Sequence, residues 1–190
     1  MAADARAELR MGGAVERVLA AALAGSVRPV VLIDGGSGSG KSTLATALVA
    51  AWPGAVSLVR LDDVYPGWDG LAAASEHVRE HTLTGRHPRW RRWDWQAERP
   101  GEWHDLDPAL PLIVEGCGSL SRANRALATL GVWLELDAAE RRRRALARDG
   151  DLYAPYWERW AIQERRFAER EHPRELADVV LAGGFTGAAE

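Results

Sequence analysis

Val30-Val31-Leu32-Ile33-Asp34-Gly35-Gly36-Ser37-Gly38-Ser39-Gly40-Lys41-Ser42-Thr43-Leu44-Ala45 decides how the rest of the chain is read. Four apolar residues and an aspartate make a short buried strand, a glycine-rich turn follows at once, and the run from Lys41 to Ala51 has helical character until Pro53 and Gly54 stop it. From Gly35 to Ser42 the turn spells G-x-x-x-x-G-K-[ST], in the strand-turn-helix context that this pattern requires. Glycines let the backbone wind so that successive N–H groups point inward at phosphate oxygens, and the helix N-terminus adds partial positive charge. Gly35, Gly36, Ser37, Gly38, Ser39, Gly40, Lys41, Ser42 and Thr43 are therefore the expected nucleotide-binding residues. Lys41 bridges the β- and γ-phosphates in this reading, and Ser42 ligates Mg²⁺. The dinucleotide fingerprint G-x-G-x-x-G is not spelled, because Lys41 takes the place of its last glycine.

Composition supports the singular role of that lysine. Of the 24 basic residues, Lys41 is the one lysine and the other 23 are arginines, so the bias toward arginine was not followed here. A compact ammonium on a flexible stem fits a tight phosphate cradle that a planar guanidinium does not. The chain has 190 residues, 47% of them hydrophobic and 27% charged, enough for one domain with its own core. A formal net charge of −3 argues against nucleic acid as a partner. The single cysteine, Cys117, cannot form an intramolecular disulfide. Charges at Asp4, Arg6, Glu8 and Arg10 interrupt any signal-peptide pattern and no stretch reaches membrane-spanning length, so the expectation is a cytoplasmic protein without a membrane partner.

Strands and helices alternate along the rest of the chain. Helices are expected over 3–24, 41–51, 120–129, 138–148 and 156–171, and strands over 30–34, 55–61, 112–115, 132–136 and 178–181. The segment 62–108 is different: polar, rich in tryptophan, histidine, proline and glycine, with one helix expected over 71–81. It reads as a substrate-binding insertion in a core of 26–61 and 109–182, with a lid over 138–150. The expected fold is therefore a single α/β domain over 1–190, three-layered, with a short parallel sheet and ligands at the carboxyl ends of the strands.

Beyond the loop, three segments carry chemistry. Leu61-Asp62-Asp63-Val64-Tyr65 lies at the end of the second strand, where a carboxylate faces the γ-phosphate and serves as general base for an acceptor hydroxyl. The bland alternative is that Asp62 and Asp63 cap the next turn. Glu115, closing Ile113-Val114-Glu115, is placed to hold Mg²⁺ directly or through water. Arg141, Arg144 and Arg148 fall at i, i+3 and i+7, share one helical face, and can close on the phosphates.

With these residues in this order, the chain resembles the uridine kinase family of P-loop nucleoside kinases across roughly residues 30–180. The resemblance rests on the Gly35–Ser42 loop, Leu61-Asp62-Asp63-Val64-Tyr65, Ile113-Val114-Glu115-Gly116, and the segment from Arg141 to Arg148-Asp149. It implies Asp62 as acceptor base, Glu115 on the metal, lid arginines at Arg141, Arg144 and Arg148, and ATP with Mg²⁺ as donor. It also implies transfer to a hydroxyl of a small molecule such as the nucleoside uridine. The family's phenylalanine-aspartate-histidine-proline segment, which shapes the nucleoside pocket, is missing. Arg91-Arg92-Trp93-Asp94-Trp95 stands there instead. Asp94 offers hydrogen bonds to sugar hydroxyls and Trp93 or Trp95 a face for a flat ring, unless the patch is simply core; Tyr65 and Trp68 border the same expected pocket.

Three rival functions and two stray signals remain. A nucleotide switch lacks its base-reading lysine motif, because Lys41 is already used. A mechanical ATPase lacks a strand ending in Asp-Glu, which leaves a non-catalytic nucleotide-binding module as the rival from another class. His77-Val78-Arg79-Glu80-His81 matches a zinc-protease pattern but is read as a solvated helix face, and Cys117 as a small residue packed beside a strand end.

Overall fold

The structure, a computed structural model, describes residues 2–185. Among these, seven strands are numbered in chain order: β1 (Val30–Asp34), β2 (Ser57–Arg60), β3 (Arg89–Asp94), β4 (Arg99–Asp105), β5 (Leu112–Glu115), β6 (Leu130–Glu135) and β7 (Val179–Ala182). The helices are α1 (Ala2–Gly25), α2 (Lys41–Ala51), α3 (Leu71–His77), α4 (Arg122–Arg125), α5 (Ala138–Tyr153), α6 (Trp157–Glu171) and α7 (Pro173–Leu176). Five strands form one parallel sheet in the order β2-β5-β1-β6-β7. In register, Ile33 stands opposite Glu115 on β5 and Val132 on β6, so the carboxyl ends of the three inner strands reach one edge together.

The short apolar strands are covered on both faces, as parallel sheets built from helical crossovers are. On one face Val18 and Ala22 of α1 and Leu44 and Leu48 of α2 pack on Val31, Ile33 and Val132. On the other, Leu71 and Val78 join Trp157, Trp160 and Phe167 over Leu32, Val59 and Val114. This is the expected three-layer α/β arrangement. The alternation of β1 sets it: Val31 and Ile33 face one layer and Leu32 the other.

Element boundaries depart from expectation for local reasons. The segment 120–129 makes only one helical turn, because the Ser121 hydroxyl caps Asn124 N and the Arg125 guanidinium takes the Ala128 carbonyl, after which Thr129 N bonds Val30 O and starts β6. The helix at Leu71 widens into a π-helix over Val78–Leu83. The second strand is four residues long rather than seven, since Leu61–Asp63 closes into a 3₁₀ turn. The insertion also holds an antiparallel hairpin, β3–β4, that periodicity did not reveal; its strand residues are mostly half-buried or exposed and a bulge lies between Arg91 and Trp93. The lid helix runs past 148 to Tyr153, broken at Gly150 (φ 54°).

The His77-to-His81 pair is not a solvated face. Both rings contact Trp103 of the hairpin, and His77 Nε2 accepts from Arg91 N at 3.1 Å. No group of three or more His, Cys, Asp or Glu among the described residues could hold a metal by itself, so the zinc pattern has no third ligand.

Candidate nucleotide and acceptor site

The glycine-rich loop leaves β1 and enters α2 through backbone shapes that side chains resist. Gly38 (φ 80°) and Gly40 (φ 101°) are left-handed, and a Cβ on Gly38 would run into the Arg141 carbonyl. Gly40 caps α2 without a side-chain hydrogen bond, and the first turn holds no acidic residue. The first N–H groups of α2 therefore stay open, with partial positive charge, at the carboxyl edge of the sheet.

Lys41 is buried, and its ammonium bonds Gly36 O at 3.2 Å and Cys117 Sγ at 3.3 Å. Burial opposes its charge, but neighbouring groups more than offset that and hold its pKa above the ordinary lysine range. Burial pushes the Cys117 thiol up to about 12, so at neutral pH the thiol is protonated and the charge supporting Lys41 comes from Glu115, Glu164 and Asp34. Asp34 is the loop's anchor. Its carboxyl receives N–H groups from Gly35, Gly118 and Leu120, tying the end of β1 to the loop after β5, and burial raises its pKa to about 6 despite these donors. Cys117 is thus packed beside a strand end, as expected, but against Ser37 and Lys41 of the loop.

Glu115 closes β5 beside Ser42. It is buried, and burial first and Asp62 second raise its pKa to about 7, while Lys41, the Ser42 hydroxyl and Arg60 oppose the rise. Its Oε1 has no hydrogen-bond partner, and the Arg60 Nε atom, 3.8 Å away, is too far to supply one. A buried acceptor oxygen with no donor, next to a hydroxyl and facing the phosphate loop, fits a cation.

Asp62 lies in the 3₁₀ turn after β2, exposed, and lines the same cleft as Lys41, Ser42, Thr43 and Glu115. Asp63 does not line that cleft; it borders the hairpin instead. The two neighbouring aspartates thereby separate onto two cavities.

The structure divides the three lid arginines. Arg144 and Arg148 line the cleft, with Arg144 donating to the Phe185 carbonyl. Arg141 lies outside it, on the back of the loop: Nη1 donates to Ser37 O at 3.2 Å and to Glu164 Oε2 at 3.1 Å. The side chain of Asp149 is outside the described residues. Glu164, from α6, also receives Ser37 N at 2.8 Å and the Cys117 thiol at 3.3 Å. This clamp was missed by sequence reading, because nothing distinguishes one glutamate among the many charges of α6. Tyr153 was missed too; it is buried at the end of α5, stacked on Trp68 and close enough to the Ser37 side chain to interact with it.

On the acceptor side, Tyr65 is buried and donates to Cys117 O at 2.8 Å, edge-on to Trp160, so it braces the site from behind rather than presenting a free face. Trp68 is stacked on Tyr156, 4.2 Å between centroids. The hairpin reaches the site through Trp95, whose Nε1 donates to Asp62 O at 3.0 Å. Asp94 Oδ1 caps the hairpin turn by accepting Gln96 N and Ala97 N. Trp93 and Asp94 line the cavity that Asp63 borders.

No protein-family model matches the chain, and no curated protein matches it in sequence. Solved structures do match in shape. One, described as a possible uridine kinase from Bacillus stearothermophilus, superposes with a TM-score of 0.65 at 20% identity, covering 92% of this chain and 98% of that one. Another, described as a fructose transport system kinase from Silicibacter, gives a TM-score of 0.50 at 19% identity over 80% of this chain and 89% of that one. No helix among the described residues is long and apolar enough to cross a membrane. At these identities the likeness speaks for architecture: the chain has the fold of the P-loop kinases.

Proposed function

We propose that this protein is a kinase that moves the γ-phosphoryl group of ATP to a hydroxyl of a small molecule. The observation that carries the reading is one cleft of about 590 Å³ lined together by Lys41, Ser42, Thr43, Asp62, Glu115, Arg144 and Arg148. A mere nucleotide holder needs the first three. It has no use for an exposed carboxylate in the same cleft as the lysine.

The open N–H groups of α2 and the Lys41 ammonium hold the β- and γ-phosphates. The acceptor oxygen attacks the γ-phosphorus while its proton passes to the Asp62 carboxylate, and the bond to the oxygen bridging the β-phosphate breaks, releasing ADP. Arg144 and Arg148 offset charge on the transferring oxygens. Mg²⁺, for which Ser42 and Glu115 are the fitting residues, would neutralise phosphate charge when bound. Arg141 is assigned a positioning role, holding Ser37 and Glu164 rather than the phosphoryl group. The resemblance points to a nucleoside such as uridine as acceptor, yet the segment that shapes a nucleoside pocket is missing, so the reading is set at the class of small hydroxyl compounds. The test is ATP consumption with and without an acceptor mixture. A kinase consumes ATP in step with a phosphorylated product, whereas ATP binding with no product from any acceptor returns the protein to the non-catalytic class.

A further inference from the structure

Helix α6 holds two separate parts of the site with side chains that follow one another in sequence. Toward the acceptor side, Gln163 Nε2 donates to Trp68 O at 2.7 Å and its Oε1 accepts Leu71 N at 3.4 Å. One turn earlier Arg159 forks onto the Asp69 carboxylate, and Trp160 stands edge-on to Tyr65 with 4.6 Å between ring centroids. Positions 159, 160 and 163 share one face of the helix, and that face carries the segment from Tyr65 to Leu71.

Toward the nucleotide, Glu164 accepts Ser37 N through Oε1 at 2.8 Å and Arg141 Nη1 through Oε2 at 3.1 Å. The same Arg141 nitrogen donates to Ser37 O at 3.2 Å, so the N–H and the carbonyl of Ser37 are both held from outside the loop. The Glu164 side chain is 12% exposed. Sheltered to that degree, a carboxylate that takes a guanidinium and a backbone N–H makes charge-assisted bonds, which are shorter and stronger than neutral ones. The helix itself is a firm base, 15 residues long with Trp157, Trp160 and Phe167 buried in the core.

This arrangement bears on rate. Transfer needs the reacting atoms about 3–3.5 Å apart and aligned, and a misplacement of about 1 Å costs about 10²-fold. The phosphate loop follows β1 and the segment from Tyr65 to Leu71 follows β2, so their separation has to be set by something that touches both. We propose that Gln163 and Glu164 are positioning residues: from adjacent places on α6 they fix the segment that follows Asp62 and the phosphate loop relative to each other, so that ordering one orders the other. The assignment rests on the kinase reading of the cleft. Neither side chain lines that cleft, so both act through the backbone they hold.

The Ser37 and Leu71 amides report the two contacts directly. Their hydrogen exchange is followed by NMR on the full-length chain, with and without a non-hydrolysable ATP analogue and Mg²⁺, and no acceptor is needed. In the unaltered chain the analogue is expected to slow exchange about tenfold at Ser37 and also at Leu71. Gln163→Ala is expected to speed exchange about threefold or more at Ser37, which Gln163 does not touch, and Glu164→Ala to abolish the effect of the analogue at Leu71, which Glu164 does not touch. Ile162→Ala, at an exposed position of the same helix, is expected to do neither. Should Glu164→Ala fail to fold, Glu164→Gln takes its place; it keeps an oxygen for Ser37 N but loses the ion pair, and is expected to weaken the response at Leu71. Absence of either cross-effect overturns the assignment, as does an Ile162→Ala variant that reproduces both, since the effects would then be a loosening of the whole helix. Cross-effects in a chain that transfers no phosphoryl group to any acceptor sink the kinase reading and keep the coupling. Transfer without cross-effects sinks the coupling alone, and an analogue that does not bind sinks both.

Discussion

On one side of Asp62 the loop from Gly35 to Ser42 offers mainly backbone N–H groups, while on the other the hairpin from Arg89 to Asp105 offers side chains only. The loop is held rigidly by Asp34 from below and by Arg141 and Glu164 from behind. The hairpin meets the body through side-chain contacts, among them Trp95 to Asp62 and Trp68, and Trp103 to His77 and His81. Recognition by backbone demands a particular chain path, so it constrains sequence tightly. Side chains displayed on a hairpin constrain it loosely, and they can change without changing the fold.

The comparison breaks most visibly at Lys41. Lys41→Ala is expected to abolish turnover, by about 10³-fold or more, and Lys41→Arg to be nearly as harmful, since a guanidinium does not fit where the ammonium bonds Gly36 O. Steady-state assay and calorimetric titration of ATP check this, and an active Lys41→Ala would remove the basis for a phosphate cradle.

Asp62 comes next, because it stands between the two regions. Asp62→Asn keeps size and hydrogen bonding but removes the base, so turnover is expected to fall about 10²- to 10⁴-fold with ATP affinity retained. Asp63→Asn is expected to cost less, since Asp63 lines the hairpin cavity and not the cleft. A reversal of the two phenotypes would exchange their roles.

These contrasts explain what could be read from the sequence. The loop was legible because only glycines adopt the shapes at 38 and 40 and only lysine stands at 41. Asp62 and Glu115 were legible because strand ends of a parallel sheet converge at one edge. The hairpin was not, since its strands bury neither face fully and show no clean alternation, and β2 was overextended because a 3₁₀ turn leaves no periodic mark. The arginine face of α5 was legible as a face, yet spacing did not show that Arg141 turns to the back of the loop while Arg144 and Arg148 reach the front.

That division sharpens into a third prediction. Arg144→Ala is expected to lower kcat by about 10²-fold with little effect on acceptor KM. Arg141→Ala is expected to weaken ATP binding and to cost about 1–3 kcal/mol of stability, because Glu164 is then left half-buried without its guanidinium. Thermal unfolding of both variants tells them apart; equal losses of stability would place both arginines in one role.

The smallest effect belongs to the contact between the hairpin and His77 at the end of α3. Burial, then His81, lowers the pKa of His77 to about 4, with Glu80 opposing and Arg91 assisting. Its folded-state pKa lies below the unfolded value, so its contribution to stability is present above about 6.5 and is lost as pH falls toward 4. Protonation also ends the acceptance of Arg91 N. A modest drop in melting temperature and a change in Trp103 fluorescence are expected between these pH values, both abolished by His77→Gln.

The central claim is tested most directly by following the γ-phosphate itself. With γ-labelled ATP and a mixture of small hydroxyl compounds, the label is expected to leave ATP only when a competent acceptor is present and to appear on that acceptor, one for each ADP formed. Label released as inorganic phosphate at the same rate with or without acceptor, or label retained on bound ATP under every condition, would contradict it.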